Sequence, residues 1–246
     1  MLKSSNPALG DKAFRTDQAG ALAEGHMTIN GTINKTLILL VLVIVPALWL
    51  WDMFYTSGQA AVSPWMMGGL IGGLVVAIAT IFKQTWAPYT APLYALLEGL
   101  VIGGISAYAE AQFKGIVFQA VALTFGTLFS LLIAYRTGVI KVTDKFRMGV
   151  VAATGAIFLV YMVSLVIGFF GVSVPFIHTG GTLGILFSLF VVVIAALNLV
   201  LDFDFIERGA EQGAPKYMEW YGAFGLMVTL VWLYIEFIRL LSKLRQ

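Results

Sequence analysis

The chain carries few acids inside its long apolar stretches, and these are its candidates for chemistry. Asp202 and Asp204 lie in "LVLDFDFIE", Glu98 in "YALLEGLVIGG", and Glu236 stands beside Arg239 in "LYIEFIRLL". A carboxylate at the centre of a membrane-spanning helix costs about 2.5 to 3.5 kcal/mol on insertion scales, so it usually faces an interior cavity or a partner. Asp202 and Asp204 are two residues apart, hence about 200° apart around a helix, and only one can face the interior. Asn198, one turn before Asp202, is on the same side, which selects Asp202 as the inward acid and leaves Asp204 nearer the headgroups. The plainer reading is that both acids mark the end of their helix. Two carboxylates held close in a low-dielectric site cannot both ionise cheaply and would share a proton, so a change of pH would switch the contact between their helices. Bare carboxylates also offer hard oxygens to Ca²⁺, which takes about six to eight of them. Two or three acids would thus hold the ion weakly, as suits a pathway better than a store.

The elements that must position these acids are apolar helices. With 59% hydrophobic and 11% charged residues and a mean hydropathy of +0.90, the composition is that of an integral membrane protein. Spanning the hydrocarbon core takes about 20 apolar residues, and seven segments qualify, near 35–55, 62–82, 91–112, 116–136, 147–171, 180–201 and 217–241. The expected fold is all-α, a polytopic bundle of seven transmembrane helices over residues 35–246. Residues 1–34 are polar and mixed in charge and form an expected flexible cytoplasmic tail without signal-peptide character. With no cysteine there is neither a disulfide framework nor a thiolate site.

An inside N-terminus would put eleven of the Lys and Arg residues inside and four, Lys114, Arg239, Lys243 and Arg245, outside, as the positive-inside bias prefers. The basic end "RLLSKLRQ" is discordant, because seven crossings place it outside, and a seventh segment that re-enters would remove the conflict. On this topology the sequons at Asn30 and Asn34 are cytoplasmic and without consequence.

Heights along the helices limit which acids can meet. Glu98 lies about 15 Å along the third helix at ~1.5 Å per residue. Asp202 reaches a similar level if the sixth helix continues to about residue 211. Glu236 lies about 30 Å along a seventh helix that starts near Pro215, too far to pair with Asp202, and a local salt bridge to Arg239 is its ordinary role. The pairs Gly68 with Gly72, Gly69 with Gly73 and Gly99 with Gly103 mark close helix approaches, more naturally within one chain than between two. Pro46 removes one backbone hydrogen bond inside the first helix.

Taken together, seven apolar helices, "LLEG" in the third, "LDFDFI" closing the sixth and "LYIEFIRLL" in the seventh resemble the Bax-inhibitor-one, or transmembrane Bax-inhibitor-motif, family. The opening "SSNPALG" is similar to the start of members of its bacterial YccA-like branch. The resemblance implies a bundle with the last helix central and a pH-sensitive calcium leak controlled by two acids, one in the sixth helix and one in the seventh. Asp202 occupies the first position and Glu236 the second, where Asp is usual; either could contact Ca²⁺ weakly. Glu98 falls on the third-helix acid, and Lys83 on a basic second-helix partner of some members. The chain departs in the 34 residues that separate Asp202 from Glu236, more than the usual spacing. Either the segment 207–222 folds so as to restore the pair, or Asp202 uses Glu98 instead.

Other classes fail on inventory. A retinal protein needs an embedded lysine, and Lys216 and Lys243 stand only at the ends of the seventh segment. A hydrolase needs a base or metal ligands, and the two histidines are His26 in the tail and His178 in an external loop. The Gly-x-Gly-Asp run of an intramembrane aspartic protease is absent. The expectation is a non-enzyme of the bacterial inner membrane, with no tightly bound cofactor, calcium as the permeant ion, the lipid bilayer as its surroundings and no nucleic acid partner. The alternative is a regulator of a membrane-bound, ATP-dependent protease acting through the N-terminal tail, and a proton-coupled transporter is a third reading.

Overall fold

The computed structural model describes residues 25–170 and 181–246. Seven helices follow one another: α1 (Ile29–Ser57), α2 (Gln59–Phe82), α3 (Ala87–Gln112), α4 (Ile116–Arg136), α5 (Asp144–Phe169), α6 (Thr182–Glu211) and α7 (Met218–Leu244). The shortest has 21 residues, about 32 Å at ~1.5 Å per residue, so each can cross the ~30 Å hydrocarbon core. All seven are also apolar enough to do so. Their outer faces carry leucines, valines and phenylalanines open to the surroundings, such as Leu37, Leu48, Leu74 and Phe158, as expected where the solvent is lipid.

Local chemistry sets the ends. Thr28 caps α1 by accepting a hydrogen bond from the Gly31 amide, and Thr143 caps α5 through Phe146, with Asp144 in the first turn complementing the helix dipole. One residue, Gly58, joins α1 to α2 at φ 85°, and Gly115 turns α3 into α4 at φ 78°, conformations that glycine adopts without steric cost. Glu110 ties the second turn down, accepting from the Gly115 amide at 2.5 Å and the Val117 amide at 3.2 Å.

Two boundaries differ from the sequence-based expectation by more than four residues. The first helix starts at Ile29 rather than near 35, because Thr28 is the cap. The residues before it are docked on the α6–α7 connection, with the Met27 amide donating to Ala214 O at 2.7 Å and His26 Nδ1 lying 2.9 Å from Gly213 O. Residues 25–34 therefore belong to the folded body. The sixth helix runs on to Glu211, past both aspartates. His178 lies outside the described residues.

Helix α7 is the central one, packing against α1, α3, α4 and α6. In its most apolar stretch 61% of residues are buried, against 17% for α1, α2, α4 and α5. Its 27 residues span about 40 Å at ~1.5 Å per residue, so it crosses rather than re-enters, and its C-terminus lies at the face opposite the start of α1. Helices α1, α3 and α2 are held together through glycines. A Cβ on Gly99 would lie 2.3 Å from Val43 O and 2.5 Å from Pro46 Cγ, and one on Gly103 2.6 Å from Ala47 O. A Cβ on Gly69 would lie 2.6 Å from Leu97 O, whereas Gly68 faces open space. The small residues thus serve packing within the chain, and Pro46 sits in that packing.

Candidate functional site

Asp202 lies nine residues before the end of α6, about 14 Å inside the bundle at ~1.5 Å per residue. Its carboxyl faces α7 where Gly225 lacks a side chain: a Cβ there would be 3.9 Å from Oδ1. Oδ2 is buried and has no hydrogen-bond partner, the one side-chain polar atom in that condition among the described residues. The side-chain hydrogen-bonding neighbour of the carboxyl is Thr229, whose hydroxyl also lies 3.2 Å from Gly225 O. A hydroxyl has one proton to give. Thr229 can therefore donate to the carbonyl or to the carboxyl, and which one it serves depends on whether Asp202 carries its own proton.

Glu236, by contrast, is satisfied. Glu236 is buried at 1% exposure, and its carboxylate accepts from Arg239 at 2.7 Å, from the Tyr161 hydroxyl at 3.1 Å and from Trp232 Nε1 at 3.3 Å. Arg239 also donates to the Tyr161 hydroxyl at 2.5 Å and lies over its ring at 4.9 Å. The expected Glu236–Arg239 bridge is present, within a cluster that fixes α7 to α5. Asp202 and Glu236 are not brought together. Glu236 is seven residues beyond Thr229 on α7, about 10 Å further along the axis at ~1.5 Å per residue, so the segment 207–222 does not restore the pair.

Glu98 does not meet Asp202 either. Its height agrees, eleven residues or about 16 Å into α3 at ~1.5 Å per residue, but its direction does not. Its hydrogen-bonding neighbour is Tyr94, one turn earlier, and Gly73 on α2 is close enough that a Cβ there would be 3.7 Å from Oε2. Tyr94 in turn lies edge-on to Phe224 of α7 at 5.1 Å. The acid belongs to the α2–α3 seam, and α7 stands between it and α6.

The supporting residues divide in the same way. Asp204, expected near the headgroups, is buried at 6% exposure and paired with Arg147 of α5 at 2.6 Å and Arg208 at 2.9 Å. Asn198 donates to Thr154 of α5 and to Ile194 O, both at 2.8 Å, so it joins α5 to α6 instead of sharing a site with Asp202. Lys83 sits at the end of α2 over the Trp86 ring at 4.6 Å, well away from the acids.

Two further charges are buried, neither of them a candidate in the sequence. Glu219, in the first turn of α7, is fully enclosed. It accepts from Lys35, from Lys216 at 2.7 Å, and from the amide and hydroxyl of Thr28 at 2.9 and 2.8 Å. The signal was an acid three residues after Lys216 at a helix start. Lys243, read as part of an outside tail, turns inward and donates to Gly184 O at 3.0 Å and Ser188 Oγ at 2.9 Å. Arg245 donates to Lys114 O at 2.9 Å and to Gln119 at 2.8 Å. Lys243 is thus a packing group, whereas Arg245 stays exposed.

Among the described residues no three carboxylate or imidazole groups converge as metal ligands, and Asp202 and Glu236 are too far apart to share an ion. The arrangement can change one buried charge at a helix seam. The family model described as Bax inhibitor 1 like matches residues 6–246. The chain belongs to that family. The match extends over all seven helices and establishes a membrane protein of Bax-inhibitor type. A comparison with curated proteins gave no match. Within this Bax inhibitor 1-like protein, Asp202 has one carboxyl oxygen without a partner and Glu236 is fully bonded.

Proposed function

We propose that this Bax inhibitor 1-like protein is a non-catalytic, pH-sensitive calcium leak of the bacterial inner membrane, with its N-terminus cytoplasmic and Asp202 as the acid that governs it. The supporting observation is the buried, unpartnered Oδ2 of Asp202 at the α6–α7 seam. With its proton, the carboxyl can donate to Thr229 while Thr229 donates to Gly225 O, and the seam stays packed. Without it, an uncompensated charge stands between two helices, which is costly in a low-dielectric interior. Separation of α6 from α7, admitting water or a cation, relieves that cost. Calcium is the cargo, drawn weakly to the bare carboxylate and completed by water and carbonyl oxygens. Glu236 and Glu98 are fixed landmarks on this reading, one tying α7 to α5 and the other α3 to α2. A cavity of about 370 Å³ between α2, α3 and α7, lined by Gln59, Ser63, Gln112 and Ser242, is the vestibule at the opposite face.

The test is calcium influx into liposomes holding the purified protein, followed across neutral pH, with Asp202→Asn and Glu236→Gln alongside. Influx should rise as pH rises, Asp202→Asn should flatten it at the low level, and Glu236→Gln should retain the pH response. A wild-type pH profile in Asp202→Asn would refute Asp202 as the governing acid. No influx above empty liposomes, with folding verified, would refute the leak and leave regulation of a membrane-bound, ATP-dependent protease through the N-terminal tail as the reading.

A further inference from the structure

Helices α1 and α4 both pack on α7, with no extensive contact between them. The gap between them is a groove of about 250 Å³ whose floor is made by α6 and α7. Its walls run from Ile29 to Leu40 on α1 and from Phe125 to Arg136 on α4. Each wall is about 16 Å long at ~1.5 Å per residue, roughly half of the ~30 Å hydrocarbon core, which is the depth of one leaflet. Leu37, Phe129 and Leu230 are typical of the lining, and the charged residues lie at one end, where α1 begins and α4 stops.

That mouth carries two opposite charges, Arg136 and Glu207. Arg136 is exposed and has no ion-pair or hydrogen-bond partner among the described residues. Glu207 accepts from the Tyr135 hydroxyl through Oε2 and has no cationic partner among the described residues. The two do not pair with each other, although both face the same opening. An apolar slot one leaflet deep, with an unmatched cation and an unmatched anion at headgroup level, is complementary to a lipid whose headgroup carries both signs.

We propose that the groove between α1 and α4 binds a phosphoethanolamine phospholipid, with one acyl chain along the slot, the phosphate on Arg136 and the ammonium on Glu207. Arg suits the phosphate because its planar fork can offer two parallel hydrogen bonds. An anionic lipid without an amine, such as phosphatidylglycerol, would satisfy Arg136 but offer no cation to Glu207. The bound chain would lie on Phe203, the neighbour of Asp202, and on Leu226, the neighbour of Gly225, so the lipid would support the outer side of the α6–α7 seam. Its binding is measured without reference to ion flux and stands or falls apart from the leak.

The experiment is native mass spectrometry of the full chain released from micelles containing equal amounts of phosphatidylethanolamine, phosphatidylglycerol and diacylglycerol. The wild type should retain phosphatidylethanolamine several-fold over phosphatidylglycerol, and diacylglycerol least. Arg136→Gln should lower phosphatidylethanolamine retention to the diacylglycerol level. Glu207→Gln, whose amide oxygen still accepts from Tyr135, should abolish the preference for phosphatidylethanolamine. Leu132→Trp, which fills the slot without touching either charge, should reduce all three. Equal retention of the three lipids by the wild type, a preference for phosphatidylglycerol, or an unchanged preference in Arg136→Gln and Glu207→Gln with the fold intact would overturn the proposal.

Discussion

Asp202 and Asp204 are two residues apart on one helix and live in opposite conditions. Asp204 is buried but bridged by two arginines whose side chains are 42% and 45% exposed, so its charge is matched and its partners still reach the headgroup region. Asp202 is about 3 Å further from the end of α6 at ~1.5 Å per residue and on the other side of the helix, where α7 offers a glycine and a threonine but no cation. The same contrast separates Glu219, held by two lysines and a helix cap, from Asp202. Burial alone does not mark the functional acid. Asp204, Glu219 and Glu236 have their partners built in, and on the proposed reading the carboxyl with an orphan oxygen is the one whose charge moves something.

Breaking that contrast should produce its largest effect at Glu219. Glu219→Gln leaves Lys35 and Lys216 without their counter-ion at the junction of α1 and α7, and removing one partner of a buried pair costs about 3 to 5 kcal/mol. Thermal unfolding in detergent should show the largest fall of this set, and a change within error would mean the lysines are matched elsewhere. Asp204→Asn should cost less, about 1 to 3 kcal/mol, because Arg147 and Arg208 can turn to water, and the pH response of influx should persist. If Asp204→Asn flattened that response, the division between structural and governing acid would be wrong.

Asp202→Asn sharpens the comparison because its sign differs. Replacing a buried carboxyl that lacks one partner by a neutral amide of the same shape should leave thermal stability unchanged or slightly raised, while the pH dependence of flux disappears. A loss of stability as large as that of Asp204→Asn would mean that Oδ2 has a partner in the membrane after all. The smallest effect belongs to Gly225→Ala. The new Cβ would sit at an ordinary 3.9 Å from Oδ1, so relief of glycine's helix cost, about 0.5 to 1 kcal/mol, should appear as a modest rise in melting temperature. A fall would show that α6 and α7 approach more closely there than this arrangement allows.

Much of this was legible in the sequence, and the limits fall where physics puts them. Seven spans follow from runs of apolar side chains that lipid demands, and their edges slipped only where a cap or polar residues continued a helix, as at Thr28 and at Arg208 to Glu211. The Glu236–Arg239 bridge was readable because residues three apart on a helix are neighbours whatever surrounds them. The depth estimate also placed Asp202 and Glu236 too far apart. Of the two alternatives, the meeting of Glu98 with Asp202 fails although their heights agree, because height follows from counting residues and direction does not. The burial of Lys243 was not legible either, because the carbonyl and hydroxyl on α6 that draw it in lie more than fifty residues away in the chain.

The sequence by itself determined the number of crossings, the level of each acid and the local i,i+3 and i,i+4 pairs, since these depend on helix rise and apolar length alone. The tertiary structure decided how each helix is rotated about its axis. Close contacts fix that rotation, such as Gly99 against Val43 and Gly225 against Asp202, between residues far apart in the chain. Rotation puts Asp204 on two arginines, turns Glu98 toward Tyr94 and leaves Asp202 without a partner for one oxygen.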